Sequence, residues 1–281
     1  MMNSIINPNS MPAIPPITLI FQKLPNLSTR HEDFTSRGAA PQNIELMHSR
    51  PPVKNMVLIT SVLYTLNYVG KNKDINQSSV KHSMSKSIFT HEERFEQTKK
   101  TIERAREYIP DCDIFFMECS PLSVEHHKYL AENTDYFFNL YDTELRGRMF
   151  TASKAMGEGT LTEYALGYMF QSKIKFDNLF KFSGRYYLDE RFCYDNWNND
   201  RIVIREFPAS KSVFTFLYKM TREHALDWLH FLIASEDNFR KCVGYENIYG
   251  AFVEKWVNDA IIIDCFGIEG FISPDGSHVK V

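Results

Sequence analysis

The chain has 281 residues, of which 43% are hydrophobic and 24% charged, and its net charge is −3. That balance is globular and long enough to bury its own core; it argues against a strongly basic nucleic-acid binder and against a chain built on a membrane-spanning apolar run. Its five cysteines show no C-x-x-C spacing, which speaks against a zinc cluster and fits reduced thiols in a cytoplasmic compartment.

Residues 1–55 hold eight of the twelve prolines and lack a sustained apolar period, so they read as an irregular leader. The rest, 56–281, reads as one α/β domain. Val57 to Tyr64 is β-branched and apolar and predicts a buried first strand. The polar stretch from Val69 to Ser87 predicts a loop. His91 to Tyr108 predicts an amphipathic helix capped by Thr90, with Phe95, Thr98, Ile102 and Ala105 on its inner face. Asp113 to Glu118 predicts a second strand, Ser123 to Ala131 a helix, Tyr136 to Leu140 a third strand and Phe150 to Phe170 a long helix. Leu179 to Gly184 predicts a fourth strand. Ile202 to Glu206 and Val213 to Tyr218 are strand candidates in an antiparallel part. Arg222 to Ile233 and Asn238 to Trp256 predict helices, and Asp264 to Val281 a tail of loop and strand.

Alternating strands and helices predict a mixed, mainly parallel sheet flanked by helices. Ligands of such sheets bind beyond the carboxyl ends of the strands. That rule groups Thr60 and Ser61, Glu118 and Ser120, and Ser183, Gly184, Arg185 and Tyr186. The last four combine a flexible backbone, a hydroxyl, a cation and a ring, which suits a nucleotide diphosphate; the plainer reading is a tight turn with a surface arginine. In Lys154 to Gly159, two glycines suggest a helix start or a close approach. Lys154 is placed to meet phosphate, and Glu158 to hold a sugar hydroxyl or orient Lys154, against a reading as solvated helix charges. Arg94 reads as a helix charge, and Glu118 as the partner of a cation or as a ligand. Asp237 and Glu246 are carboxylates able to accept a proton from a hydroxyl or simply to favour a helix start. Asp189 and His278 are the candidates for a divalent ion, Mn2+ or Mg2+. No G-x-G-x-x-G follows a strand, and there is no phosphate-binding G-x-x-x-x-G-K-[ST] loop.

The ordered set of Ile59-Thr60-Ser61, Arg94 with Gln97-Thr98 in ERFEQTKKTIERAREYIPDCDIFFMECS, Lys154-x-x-Gly157-Glu158, LFKFSGRYYLD and FGIEGFISPDG resembles GT-A-like glycosyltransferases of large DNA viruses and some bacteria. The likeness spans roughly residues 56–276. It implies a GT-A-like (Rossmann-like) fold, with a nucleotide-sugar half at 56–190 and an acceptor half at 191–281. It also implies a UDP-sugar donor and an oligosaccharide or glycoprotein acceptor. Within that group a chlorovirus-type capsid-glycan transferase, a xylosyltransferase, is the nearest in flavour, which would place the protein in a host cytoplasm. Such enzymes carry an Asp-x-Asp metal motif after the fourth strand. Here Ser183-Gly184-Arg185-Tyr186 stands there, and the one Asp-x-Asp, Asp111-Cys112-Asp113, precedes a strand.

The expected mechanism sets base and ribose over Thr60, Ser61 and Arg94, with Glu118 and Ser120 fixing ribose or sugar. Lys154 and Arg185 meet the charge of the leaving diphosphate, and Asp237 or Glu246 takes the acceptor proton. The rival readings are a nucleotidyl- or phosphotransferase on the same sheet edge, and a glycan-binding or virion structural protein on a transferase-like fold.

Overall fold

Seven residues without a single exposed side chain, Asn55–Ser61, form strand β1. The computed structural model describes residues 53–64, 89–151, 153–207, 212–272 and 277–281. The Pro-rich leader up to residue 52 and the loop expected over 69–87 lie outside them. Helix α1, His91–Tyr108, starts as its sequence demands: the Thr90 hydroxyl accepts from the Glu93 amide, and the Glu93 carboxylate accepts from the Thr90 amide. There follow β2 (Cys112–Glu118), α2 (Val124–Asn133), β3 (Tyr136–Asn139), a one-turn helix α3 (Arg146–Met149) and the long helix α4 (Lys154–Gln171). Then come β4 (Asn178–Ser183), β5 (Tyr186–Leu188), β6 (Ile202–Ile204), β7 (Leu217–Thr221), α5 (Arg222–Ala234), α6 (Glu236–Arg240) and α7 (Tyr245–Lys255). The described chain finishes with β8 (Ala260–Ile262), β9 (Ile268–Phe271) and β10 (His278–Lys280).

Seven strands form one sheet in the order β3-β2-β1-β4-β7-β6-β8. β1, β2, β3 and β4 are parallel, β7 runs antiparallel to both β4 and β6, and β8 is parallel to β6. β7 is thus reversed against the other six. A second, antiparallel sheet has the order β10-β9-β5. The fold is the expected mixed α/β sheet with helices on both faces.

Alternation along the strands decides which helix each side chain meets. Val57, Ile59, Ile114, Phe116, Phe180 and Phe182 join Phe95, Ile102 and Ala105 of α1 and Leu130 of α2 in one core. The other face receives α4, whose Tyr168 ring lies 5.9 Å from Phe115 and 4.6 Å from Phe138. Phe115, Phe116, Phe180 and Phe182 are fully buried, and each such side chain contributes about 1.5–3 kcal/mol in removing apolar surface from water.

Three expected elements are corrected. The long helix begins at Lys154, capped by the Ser153 hydroxyl, because Phe150 instead closes the short α3. The strand expected over Val213 to Tyr218 starts at Leu217; ahead of it, among the described residues, a single bridge, Glu206 to Val213, joins the two segments. The helix expected over Asn238 to Trp256 is two helices, α6 and α7. The chain turns between them with Cys242 at φ 59° and Gly244 as the second cap.

Candidate functional site

β1 feeds leftward into β2, while its other neighbour is β4, so the strand order reverses between β1 and β4. A crevice at the carboxyl ends of two such strands is where open α/β sheets take ligands. The register brings the polar ends level: Thr60 sits between Met117 and Ser183, and Ser61 opposite Glu118. Beyond β4 the chain turns at Gly184, whose amide donates to Thr60 O at 2.9 Å. A Cβ on Gly184 would stand 2.9 Å from Ser61 Cβ, so the close approach of the two strand ends requires glycine.

On the α1 side the strand ends are tied by Glu118, which is fully buried. Its Oε1 accepts from the Ser120 hydroxyl at 2.6 Å, the Cys119 amide at 2.9 Å and the Leu63 amide at 3.1 Å. The Ser61 hydroxyl adds a further bond. Burial pushes the Glu118 carboxyl up, and these bonds oppose it. Ser120 Oγ also accepts from the Tyr64 amide at 3.0 Å. Thr60, Ser61, Glu118 and Ser120 are all buried, and the contacts of Glu118 and Ser120 show them holding the chain as it leaves β1. Tyr64 then stacks on His91, ring centroids 3.9 Å apart. Its hydroxyl meets His126 Nδ1 at 3.3 Å.

On the α4 side a different set converges. Lys181, in the middle of β4, is fully buried. Its Nζ donates to Glu158 Oε1, to Ser183 Oγ at 3.2 Å and to Thr215 O at 3.3 Å. The Ser183 hydroxyl donates to the same Glu158 oxygen at 3.1 Å. Thr215 Oγ1 lies 3.5 Å from Glu246 Oε1, in the first turn of α7. One threonine therefore touches both the Lys181 ammonium and the second carboxylate. Burial raises the pKa of Glu246, the Glu158 charge raises it further and Lys181 opposes.

The third component is positive. Arg94 is 4% exposed and donates to Val62 O. Burial first, then the Arg185 charge, bring its pKa down to about 9, against the pull of Glu118. Arg185 donates to Phe271 O at 3.3 Å, and burial lowers its pKa too. Lys154, solvent-exposed in the first turn of α4, is lowered by its crowded surroundings and again by Arg185, while Glu246 raises it. Arg185 is the hub of this set. Among the described residues neither Arg185 nor Lys154 has a carboxylate within 4.0 Å. An anion placed there would relieve the mutual repulsion.

No family model matches the chain, and no curated protein matches it. Among solved structures it is similar to a nucleoside-diphosphate-sugar pyrophosphorylase from Vibrio cholerae, with 11% identity over 76% of this chain and 93% of that one and a TM-score of 0.43. It is also similar to mouse xyloside xylosyltransferase 1 in its apo form, with 8% identity over 76% of this chain and 86% of that one and a TM-score of 0.41. At such distances the chemistry has to be read from this chain's own side chains.

The remaining sequence candidates are spread out. Tyr186 packs on Phe216, centroids 4.8 Å apart, and belongs to the α1-side core. Both Asp189 oxygens accept from Arg191, and His278 Nε2 lies 3.1 Å from Glu269, so neither donor set suits a divalent ion. Among the described residues no three His, Cys, Asp or Glu side chains converge as a metal site. Asp237 is exposed in the first turn of α6. Among the described residues no helix is long and apolar enough to cross a membrane. Sequence reasoning passed over Lys181 and Thr215. The available signal was a lysine between two phenylalanines in a strand buried on both faces, a position that demands a charged partner.

Proposed function

We propose that the protein transfers a sugar from a nucleoside diphosphate sugar to a hydroxyl of a glycan. The observation that carries this reading is Arg185, a half-buried cation beyond the β1/β4 strand ends that repels Arg94 and Lys154, feels the Glu158 charge and has no carboxylate within 4.0 Å among the described residues. A diphosphate supplies the missing charge. The acceptor hydroxyl gives its proton to the Glu246 carboxylate, and its oxygen bonds to the anomeric carbon. The bond from that carbon to the diphosphate oxygen breaks, and the electron pair departs with the diphosphate. Arg185 and Lys154 meet that growing charge, the kind of interaction that contributes most to such catalysis. Glu246 is favoured over Asp237 as the base because it lies in the electrostatic reach of Lys154, Lys181 and Glu158. Arg94 backs the site from α1. The chain's own cations serve the diphosphate here, and no step is assigned to a metal.

The finer assignments rest on the sequence likeness: UDP as the nucleotide, xylose as the sugar, and a glycoprotein glycan, a viral capsid glycoprotein first, as the acceptor. The test is nucleotide release from a panel of nucleotide sugars led by UDP-xylose, with and without glycan acceptors. Turnover should fall on the order of 10²–10³-fold in Arg185→Met, by analogy with loss of one charge-stabilising donor, with an unchanged melting temperature. Silence across the panel, or full turnover by the variant, would reject the reading. Consumption of a nucleoside triphosphate with a sugar phosphate would point instead to nucleotidyl transfer. Glycan binding without turnover would point to a binding protein.

A further inference from the structure

Two carboxylates and one fully buried amine gather around Thr215 on the α4 side of the sheet, and their surroundings differ. Glu158 Oε1 takes the Lys181 ammonium and the Ser183 hydroxyl together. Among the described residues Glu246 has the long 3.5 Å approach of the Thr215 hydroxyl and a bond from its own backbone amide. The Lys181 side chain is 0% exposed and that of Glu158 28%, so water competes little at the amine. Besides Lys181, the charged and titratable groups acting on this pair are Lys154 on α4, Arg185 after β4 and Tyr245 at the start of α7.

We propose that Lys181 is a positioning residue that holds the Glu158 carboxylate in place and so leaves Glu246 as the carboxyl of the pair that carries the proton. Neighbouring carboxylates that lack such a difference share a proton and titrate as one unit. Different environments give two acids two roles. With Glu158 clamped on Lys181, its charge disfavours a second anion next to it, and Glu246 holds a proton to higher pH than an isolated glutamate does. In the transfer proposed above, on which the catalytic use of this device rests, ionised Glu246 accepts the acceptor proton and later releases it to solvent. Lys181 itself touches no reacting atom.

The experiment is a carboxyl-carbon NMR titration of the full chain labelled at glutamate, with Glu158→Gln and Glu246→Gln providing the assignments. In the unaltered protein Glu246 should titrate above the ordinary glutamate range. In Lys181→Met the Glu246 signal should no longer titrate as a step of its own. Lys181→Arg should keep the original pattern. A folded Lys181→Met protein with an unchanged Glu246 titration would overturn the proposal. If Lys181→Met does not fold, the neutral pair Glu158→Gln/Lys181→Met removes both charges at once. There the Glu246 midpoint should fall, and an unchanged midpoint would count against the device. No substrate enters these titrations, so a silent nucleotide-sugar panel would remove the transfer reading and leave this result standing.

Discussion

Replacing Glu118 by alanine tests whether this carboxylate is structural. One oxygen, Oε1, accepts from the Leu63 and Cys119 amides and the Ser120 hydroxyl, with Ser61 adding another bond, all at a position with no solvent exposure. Alanine leaves these donors without their acceptor, at about 1–3 kcal/mol for each that stays buried and unsatisfied. Part of that returns, because the cost of burying a carboxylate disappears with it and water can enter the space. A net loss of roughly 4 kcal/mol is expected, a large share of the ~5–15 kcal/mol that holds a typical domain. Glutamine keeps one acceptor oxygen and should lose much less, roughly 1–2 kcal/mol. Urea unfolding followed by fluorescence of the buried Trp197 and Trp228 measures both variants. With a slope of about 2–3 kcal/mol/M, the alanine midpoint should drop by roughly 1.3–2 M. An alanine variant within about 1 kcal/mol of the parent would refute the claim that Glu118 organises the exit from β1.

Glu246→Gln should abolish the acid limb of the kcat/KM profile. In the parent protein, activity rises with pH through a midpoint above the usual carboxylate range, because burial and the Glu158 charge raise Glu246 and only its ionised form accepts a proton. Glu163 is raised to about 7, first by burial and then by Glu236, against Arg148. A carboxyl with a raised folded-state pKa binds more protons folded than unfolded, so its stabilisation is present below about 4.5 and is lost as pH rises through about 7. Glu163→Gln should therefore flatten the fall in stability over that window, read by denaturant unfolding at stepped pH. Gly159→Ala should cost about 1–3 kcal/mol by overpacking, since the new Cβ meets the Phe239 ring at 2.7 Å. A melting temperature equal to the parent's would show that α6 yields freely.

The parallel half was legible in the sequence because its signals are local. Thr90 and Glu93 announce α1, and the apolar runs of β1, β2 and β4 have no alternative to burial. Their polar ends could be grouped from topology alone, and the register brings them level. What those residues do was less readable. A serine or glutamate at a strand end looks the same in a sequence whether it faces a ligand or, as Glu118 and Ser120 do, backbone amides of its own chain. The second half failed locally where tertiary contacts overrode the pattern. Phe214 and Phe216 read as strand residues but stack on each other, centroids 4.8 Å apart, ahead of β7. The α6–α7 break hides inside a continuing helical period, because its left-handed position is held by Cys242 at φ 59° and its one glycine, Gly244, serves as the cap that restarts the helix. Strands β5 and β8, three residues each, are too short to carry a period of their own.

Strand parity sends Glu118 toward α1 and Lys181 toward α4, so that a single sheet separates the Glu118 scaffold from the proposed proton chemistry. Loosening the first layer should alter how the crevice is shaped, and re-charging the second should alter at what acidity it operates. A designer could therefore retune the working pH from Lys181, Thr215 and Glu246 without disturbing the knot at Leu63, and could remodel the entrance from the opposite layer while leaving the acids in place.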